Sequence, residues 1–313
     1  GVLFTRALAG CPARQLGWAS AARSGAMKLE DSQITWVSGT VAGLAATFAK
    51  QPIQRVKWIR QTADGPMRSY SSIVKETIAA KGWRGFFSGS SAAVLRNVPH
   101  SALVYTVYPH CANATTKLFG AEAVTESFTT RFVAGYITMI LVTMVTHPLD
   151  TLRVRVSIAV NAESVRTAAK HLYRTEGVAG FYSGFNATLI GAGPRGAIGF
   201  GIFETLKPMA KDNKHLQERP ALAKFLCGYL AGVFSETFVY PLDTVRRKQQ
   251  AFGRDHPIGS MSTFAAIRQI IQTEGHLGLF KGISLNLIKN PCATAVSFAI
   301  NDLVKDACGY GVV

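Results

Sequence analysis

Acidic and basic side chains recur three residues apart after three of the prolines in this sequence. The segments are Gln51-Pro-Ile-Gln-Arg-Val-Lys57, His147-Pro-Leu-Asp-Thr-Leu-Arg153 and Tyr240-Pro-Leu-Asp-Thr-Val-Arg246. Residues i and i+3 share one face of a helix, so the acid and the base lie side by side just after the proline. Opposite charges from different segments can pair, hold three helices together and separate again. The first segment departs from the pattern, because Gln54 stands where the other two have aspartate.

A second motif follows each of these prolines after about 30 residues. The three copies are Gly82-Trp-Arg-Gly-Phe-Phe-Ser-Gly89, Gly177-Val-Ala-Gly-Phe-Tyr-Ser-Gly184 and Gly275-His-Leu-Gly-Leu-Phe-Lys-Gly282. The prolines themselves, Pro52, Pro148 and Pro241, are 96 and 93 residues apart. Two motifs in the same order, three times, indicate an internal threefold repeat.

Each repeat is predicted to contain a first long helix, a short amphipathic helix and a second long helix. The proline bends the first long helix, because it removes one backbone hydrogen bond and crowds the preceding turn. Short helices are predicted at segments such as Ser71 to Lys81 and Ser164 to Thr175. The six long helices are predicted at residues 33–62, 89–118, 125–159, 184–210, 220–252 and 282–308.

The composition favours a membrane protein. Lys and Arg number 34 against 18 Asp and Glu, for a net charge of +16, yet only 17% of residues are charged and 48% are hydrophobic. Soluble domains usually contain about 25% charged residues. The apolar content excludes a disordered chain, and a charge that comes from a shortage of acids disfavours a nucleic-acid binder. No 18-residue stretch is uninterruptedly apolar, so these helices require neighbours that cover their small and polar residues.

The three Pro-x-[Asp/Glu]-x-x-[Lys/Arg] motifs resemble the signature of the mitochondrial carrier family over about residues 33 to 308. The resemblance implies an all-α membrane protein with six transmembrane helices in three pseudosymmetric repeats and three short amphipathic helices on the matrix side. It implies a solute carrier and not an enzyme, in the mitochondrial inner membrane, with both termini toward the intermembrane space. The expected organisation is a basic extension at 1–32 and one integral bundle of repeats at 33–120, 121–215 and 216–313.

By the family's pattern, the matrix gate consists of six residues, two after each signature proline. We call this set the proline ring. Its members are Gln54, Lys57, Asp150, Arg153, Asp243 and Arg246. The resemblance pairs Asp150 with Arg246, and Asp243 with Lys57. Gln54 can accept a hydrogen bond from Arg153 but offers it no charge, so at most two full ion pairs are expected. Gln61 and Gln250 match glutamines that brace the ion pairs in the family, whereas Ser157 at the third place does not.

The family also has a cytoplasmic gate, [Phe/Tyr]-[Asp/Glu]-x-x-[Lys/Arg], on the second long helices. Glu204 and Lys207 match it fully after Phe203. Asp302 and Lys305 match it without the aromatic residue. The first repeat has Tyr108-Pro-His-Cys-Ala112 at this place, with neither acid nor base.

The family's substrate-contact positions lie halfway along the second long helices. In this chain they are Arg96, Gly191, Ala192 and Lys289, with Arg195 as a further cation. Charges at membrane depth are costly and are candidates for function, and we expect these cations to lie away from both gates. Two cations beside a small Gly-Ala pair suit phosphates attached to a planar base. Alternatively, Arg96 and Lys289 satisfy carbonyl groups that the nearby prolines leave free.

Local similarity narrows the class of substrate. The segment Lys281-Gly-Ile-Ser-Leu-Asn-Leu-Ile-Lys-Asn-Pro291 is similar to coenzyme A-type carriers, whereas Arg246-Arg-Lys-Gln249 lacks the Arg-Arg-Arg-Met-Met-Met run of ADP/ATP carriers. The resemblance therefore implies exchange of a large anionic nucleotide-like substrate, coenzyme A or an adenine nucleotide, by alternating access. Two roles are open for Glu236, an isolated acid before Pro241: it pairs with a cavity cation, or it couples a proton.

Three glycines, Gly89, Gly184 and Gly282, each open a second long helix, close after an aromatic residue. Free backbone N–H groups and the helix dipole attract phosphate at such ends. The family binds cardiolipin there, so bound cardiolipin is expected, and a plain turn with a helix cap is the alternative. No cofactor or metal site is expected, because the five cysteines lack Cys-x-x-Cys spacing and the histidines are scattered.

The first 30 residues contain Arg6, Arg14, Arg23 and Lys28 and no acid before Glu30, a composition similar to that of transit peptides. We expect a retained extension held by a partner outside the bundle. Together with Gln54 and the missing gate charges of the first repeat, it leaves a second function open. The chain would then be a transport-degenerate carrier-fold protein, an accessory subunit of a larger respiratory complex.

Overall fold

The computed structural model describes residues 31–65, 67–119, 128–159, 164–212, 220–254 and 256–307. The basic segment 1–30, predicted as an extension, lies outside the described residues. Within them the chain is helical, and they contain no strand.

Six long helices account for most of this structure. Each overlaps one predicted span, and the boundaries agree to within three residues. They are α1 (Asp31–Thr62), α3 (Ser90–Phe119), α4 (Phe128–Ile158), α6 (Phe185–Asp212), α7 (Pro220–Phe252) and α10 (Ile283–Ala307). The first long helices of the repeats are thus α1, α4 and α7, and each continues through its signature proline.

A short helix joins the two long helices of every repeat. These are α2 (Tyr70–Lys81), α5 (Val165–Phe181) and α9 (Thr263–Glu274), the last preceded by the single turn α8 (Pro257–Ser260). Ser69, Ser164 and Ser262 cap their first turns, because each serine hydroxyl accepts a hydrogen bond from a backbone N–H three residues later. The glycine that begins each second motif interrupts or ends the helix with a positive φ, as at Gly177, where φ is 65°.

The apolar core lies where the short helices pack on the first long helices. Ile73, Leu172 and Ile270 lie on the three short helices and are almost completely buried. They belong to three separate apolar clusters, each of which includes the residue just before a signature cation, Val56, Leu152 or Val245. This packing holds α1, α4 and α7 in place at the end of the bundle that contains the proline ring.

The long helices pack most extensively across the repeat boundaries. The closest pairs are α3 with α4, α6 with α7, and α10 with α1. The three first long helices also contact one another. The result is a closed bundle of six helices in which the last repeat returns to the first.

The residue before each signature proline anchors the start of the second long helix. Gln51 donates a hydrogen bond to the carbonyl of Ser88, and Tyr240 donates to that of Lys281, both at 2.9 Å. His147 Nε2 lies 2.9 Å from the carbonyl oxygen of Ser183. All three side chains are buried. The same link therefore occurs three times, although the side chains that make it differ.

The glycine that follows each of these carbonyl groups packs closely against another repeat. Gly89 has φ +84°, and a Cβ atom there would overlap the hydroxyl of Ser157 in α4. Gly184 has φ +74°, and its Cβ would lie 2.8 Å from the carbonyl oxygen of Arg246 in α7. Only glycine satisfies both the backbone angle and the close approach.

The exterior of the bundle is apolar. Val145 and Phe238, on two first long helices, are 65% and 70% exposed, and Leu303 on α10 is 62% exposed. Among the described residues, two segments are long and apolar enough to cross a membrane by length and composition alone, Phe132–Ile158 and Phe225–Phe252. That test by itself is weak evidence, whereas an apolar exterior around a polar interior is the arrangement required of helices in lipid.

Candidate functional site

The proline ring closes one end of the bundle. Asp150 of α4 is buried and accepts hydrogen bonds from Arg246 at 2.5 Å and from Arg247 at 3.1 Å, both on α7. Lys57 of α1 lies 3.7 Å from Asp243 of α7. Both predicted ion pairs are therefore present, and they connect the three first long helices.

The third position of the ring has no ion pair. Gln54 is buried, yet it makes no hydrogen bond with the described residues, so the expected bond to Arg153 does not form. Arg153 instead donates to Asn97 Oδ1 at 3.5 Å. Its guanidinium lies 5.2 Å from the ring centre of Trp58, and that of Arg247 lies 4.9 Å from the same ring. An aromatic face thus replaces the missing carboxylate.

The two predicted glutamine braces have different partners. Gln250 donates to Asp150 at 3.2 Å and accepts from Arg247 at 2.8 Å, so it supports an ion pair directly. Gln61 donates to Thr244 Oγ1 at 2.9 Å, and it makes no bond to the described ring residues. At the third place, Ser157 accepts a hydrogen bond from Gln51 at 3.3 Å.

A cavity of about 270 Å³ lies next to the ring between α3, α4, α6 and α7. Four of the five predicted substrate residues line it, namely Arg96, Gly191, Ala192 and Arg195. Lys289 does not line this cavity. A Cβ at Gly191 would lie 3.1 Å from Val239, so the small size of Gly191 also serves the packing of α6 on α7.

The cavity arginines do not lie away from the ring, and that expectation was wrong. Arg96 Nε is 3.5 Å from Asp150 Oδ1. Arg195 lies 3.4 Å from Asp243 and 3.5 Å from Glu236. A buried carboxylate attracts every cation within reach of its low-dielectric surroundings, so the cavity and the proline ring share their charges.

Glu236 is paired, in agreement with the first of its two predicted roles. Besides Arg195, it accepts a hydrogen bond from Asn286 Nδ2 at 2.9 Å. The same amide accepts a hydrogen bond from Lys57 through its Oδ1, also at 2.9 Å. Asn286 therefore connects Glu236 to the ring cation Lys57 across α1, α7 and α10.

Basic side chains outnumber acidic ones in this region. Lys50 and Lys289 make no hydrogen bond or ion pair with the described residues, although charges of the cavity and the ring act on both. Eight cations and three carboxylates of the cavity and the ring are close enough for their charges to interact. The cations are Lys50, Lys57, Arg96, Arg153, Arg195, Arg246, Arg247 and Lys289, and the acids are Asp150, Glu236 and Asp243.

The opposite end of the bundle is differently arranged. Glu204 pairs with Lys207 at 3.5 Å within α6, and both side chains are more than half exposed. Tyr108 in the first repeat is exposed. The side chains of Asp302 and Lys305 lie outside the described residues. The cytoplasmic gate residues that the structure describes therefore form no pair between helices, in contrast to the proline ring.

Sequence reasoning missed three residues of the site. Arg247 contacts Asp150 and directly follows Arg246, so the tandem of arginines was an available signal. Asn97 accepts from both Arg96 and Arg153, and its place after a predicted contact residue could have indicated it. Trp58 follows Lys57 in the signature, but no spacing rule indicates that an aromatic residue there meets cations from other helices.

Comparison with known proteins identifies the family. The family described as Mitochondrial carrier protein matches residues 30–118, 124–214 and 217–310, which together make up most of the chain. The chain belongs to the mitochondrial carrier family. Its helices are compatible with the three-repeat carrier fold, and its function is transport, as is typical of a family of carriers and not of enzymes.

Individual carriers show similar sequences at moderate identity. A mitochondrial coenzyme A transporter, SLC25A42 of Xenopus tropicalis, is 29% identical over 86% of this chain and 84% of its own length. The mitochondrial carrier protein CoAc1 of Zea mays is 30% identical over 87% of this chain and 86% of its own length. The mitochondrial substrate carrier family protein P of Dictyostelium discoideum is 30% identical, over 87% and 93%. As a mitochondrial carrier, this chain is a mitochondrial membrane protein.

Proposed function

We propose that this carrier exchanges a large anionic nucleotide-like substrate, coenzyme A or an adenine nucleotide, across the mitochondrial inner membrane by alternating access. Both termini would face the intermembrane space. The observation that supports it most strongly is the cavity lined by Arg96, Arg195 and Arg246 and closed at the proline ring. Its volume is near the lower end of ligand pockets, enough for the phosphate-bearing part of a nucleotide.

The charge of this region favours an anion over a neutral or cationic solute. Eight basic groups against three acidic ones create a positive field in a passage with apolar walls, and such a field concentrates anions. The arginines offer bidentate hydrogen bonds to phosphate, and the lysines act as point charges. An unpaired cation at membrane depth is costly unless a ligand uses it, and Lys289 has no ion-pair partner among the described residues.

The ion pairs suggest how access alternates. In the described state, Asp150–Arg246 and Asp243–Lys57 hold the ring end closed, whereas Glu204 and Lys207 pair only within their own helix. Opening the ring end requires these two links between helices to break. Because Arg96 and Arg195 lie beside the same carboxylates, an anion that binds these arginines changes the charge around Asp150 and Asp243 and thereby alters the strength of the ring pairs.

The relatives favour coenzyme A within the nucleotide-like class. Of the three similar carriers, one is named a coenzyme A transporter and another is named CoAc1. At about 29% identity, this supports the class of substrate and leaves the choice between coenzyme A and an adenine nucleotide to experiment. None of these three relatives is named as a subunit of an assembly, so the accessory-subunit function is not proposed.

The proposal is tested with purified protein reconstituted in liposomes that contain unlabelled substrate. Uptake of labelled coenzyme A, ADP and ATP is measured for the wild type, Arg96→Ala and Lys289→Ala. Each variant should lose uptake by about tenfold or more, since one charged hydrogen bond contributes about 1.5–3 kcal/mol. The control is Arg268→Ala, which removes an exposed arginine on α9 and should leave uptake unchanged.

The outcomes separate the possible failures. If the wild type takes up none of these anions, the proposed substrate class is wrong. If it takes them up and both cavity variants match the control, the assignment of Arg96 and Lys289 is wrong. Purification of the protein as a stoichiometric part of a respiratory complex, without uptake, would favour the accessory-subunit function instead.

Cardiolipin is the second proposed ligand, at the ends of the second long helices that begin after Gly89, Gly184 and Gly282. Their positive φ angles turn the chain just before each helix begins. N–H groups of a first turn lack partners within the helix and can bind a phosphate, although in α6 the N–H of Phe185 already donates to the carbonyl of Tyr182. Thermal unfolding in detergent should shift to higher temperature with added cardiolipin and not with phosphatidylcholine. Equal shifts for the two lipids would contradict these sites.

A further inference from the structure

Because Gln54 carries no charge, the cation assigned to it in the proline ring has no carboxylate partner at this position. Asp150 and Asp243, the equivalents of Gln54 in the other repeats, each hold a cation of another repeat. Arg153 is the cation that the threefold pattern assigns to position 54. It is 6% exposed, and among the described residues no carboxylate lies within ion-pair distance of it.

The partners of Arg153 leave hydrogen-bonding capacity unused. Among the described residues it donates one hydrogen bond, to Asn97 Oδ1, which is 3.5 Å long and at the limit of a useful bond. The face of Trp58 accepts its charge at 5.2 Å but no directed hydrogen bond. The buried Nε atom of Arg153 has no hydrogen-bond partner in the described part of the chain.

Two further cations approach the same place. Arg96 shares Asn97 Oδ1 with Arg153, since it donates to that oxygen at 3.4 Å. Its own carboxylate contact, Asp150 at 3.5 Å, is already bound more closely by Arg246 and Arg247. Lys50 lies on α1 four residues before Gln54, so it is on the same face of the helix one turn away. The charges of Arg96 and Arg153 act on it, and it makes no ion pair with the described residues.

Asn97 orients these groups. Its Nδ2 donates to Thr47 at 3.2 Å, so its Oδ1 is directed toward the two arginines. An amide oxygen can accept from both, but it does not neutralise either charge. Asn97 therefore leaves two guanidinium groups without a neutralising charge, Lys50 adds a third cation from the neighbouring part of α1, and an external anion would complete this site.

We propose that Lys50, Arg96 and Arg153 form a binding site for a phosphomonoester group of the substrate, and that this site exists because residue 54 is not acidic. A phosphomonoester carries about 1.5 to 2 negative charges at neutral pH and three acceptor oxygens, which matches two guanidinium groups and one ammonium group. The inference rests on the proposed function and makes it more specific. Among nucleotide-like anions, it selects those that bear a phosphomonoester group separate from a diphosphate link, as coenzyme A does on its ribose.

The test compares coenzyme A with dephospho-coenzyme A, which lacks only the phosphomonoester. Both are measured as half-saturation concentrations for uptake and as stabilisation of the purified protein against thermal unfolding. The variant Gln54→Glu supplies Arg153 with the missing carboxylate. It should raise the half-saturation concentration for coenzyme A by about tenfold or more and change that for dephospho-coenzyme A by less than about threefold.

Gln61→Glu is the matched control. It introduces the same charge on the same face of α1, two turns further along the helix. Any change that Gln61→Glu causes in the half-saturation concentration should be equal for the two ligands, because Gln61 contacts Thr244 and not the three cations. Without ligand, Gln54→Glu should unfold at a higher temperature than the wild type, since a third ion pair then joins α1 to α4.

Each result has one meaning. Selective loss of coenzyme A affinity in Gln54→Glu, with no selectivity in Gln61→Glu, supports the site. A wild type that both ligands stabilise equally, or a Gln54→Glu variant that loses affinity for both ligands equally, overturns it. Ligand stabilisation does not require transport, so preferential stabilisation by coenzyme A without any uptake would overturn the proposed transport function and leave the phosphate site intact.

Discussion

Replacement of Asp150 by asparagine is the most direct test of how the proline ring holds the bundle together. The residue is 3% exposed and accepts hydrogen bonds from Arg246, Arg247 and Gln250. Arg96 also lies within 3.5 Å. The change keeps the size of the side chain and removes its charge, so any effect comes from electrostatics and hydrogen bonding.

The expected cost follows from the number of cations left behind. Three arginines would then face one another around a neutral amide in a buried site. Removal of one partner from a buried ion pair costs about 3–5 kcal/mol. The entropy of unfolding is about 2.1 cal/mol/K per residue, so one kcal/mol lowers the melting temperature of a chain of 313 residues by about 1.5 °C. We therefore expect a decrease of roughly 4–8 °C.

The assay is thermal unfolding of the purified protein in detergent, with Glu204→Gln as the control. That substitution makes the same change of acid to amide on α6, where the side chain is 60% exposed and pairs only within its helix. Exposed pairs contribute about 0–1 kcal/mol, so the melting temperature should fall by no more than a few degrees. A decrease for Asp150→Asn no larger than that of the control would refute the reasoning.

A double-mutant cycle isolates the ion pair itself. Asp150→Asn, Arg246→Gln and the double variant are compared in the same unfolding assay. Residues in direct contact have coupling energies of about 0.5–3 kcal/mol, so the double variant should be less destabilised than the sum of the single variants. Strict additivity would show that the contact between Asp150 and Arg246 contributes nothing of its own.

Three further predictions use the same measurement. Tyr240→Phe leaves the carbonyl of Lys281 without its donor and should destabilise the protein by about 1–3 kcal/mol. Tyr229→Phe should cost less, because the hydroxyl bond of Tyr229 is 3.5 Å long. Equal costs would contradict the anchoring role of Tyr240. Gly184→Ala should destabilise the protein, because the new Cβ would meet a backbone oxygen at 2.8 Å and the φ angle is positive. The control is Gly201→Ala, where the new Cβ would have no neighbouring atom within 4 Å. It should be neutral or stabilise the protein by up to about 1 kcal/mol. Glu274→Gln should lower the melting temperature markedly, since this carboxylate binds two buried lysines, Lys248 at 2.5 Å and Lys281 at 2.7 Å; an unchanged melting temperature would mean that these lysines do not need it.

The sequence by itself determined the architecture, because the signals for it are local and repeated three times. Proline fixes the φ angle, and glycine permits the positive φ at which the chain turns, so the ends of the six long helices could be placed to within a few residues. The spacing of three residues between acid and base, combined with the repeat, was enough to predict Asp150–Arg246 and Asp243–Lys57. It also revealed the gap at Gln54.

Only the tertiary structure decided how the charges are shared. Arg247, Arg96 and Arg195 reach carboxylates on other helices, and Asn286 connects Lys57 to Glu236 although 229 positions separate it from Lys57. Such contacts depend on the rotation and depth of each helix in the bundle, which no local spacing specifies. In a buried site of low dielectric, every carboxylate draws all cations within reach. For this reason the cavity residues and the proline ring, which are separate in the sequence, share one network of charges in the fold.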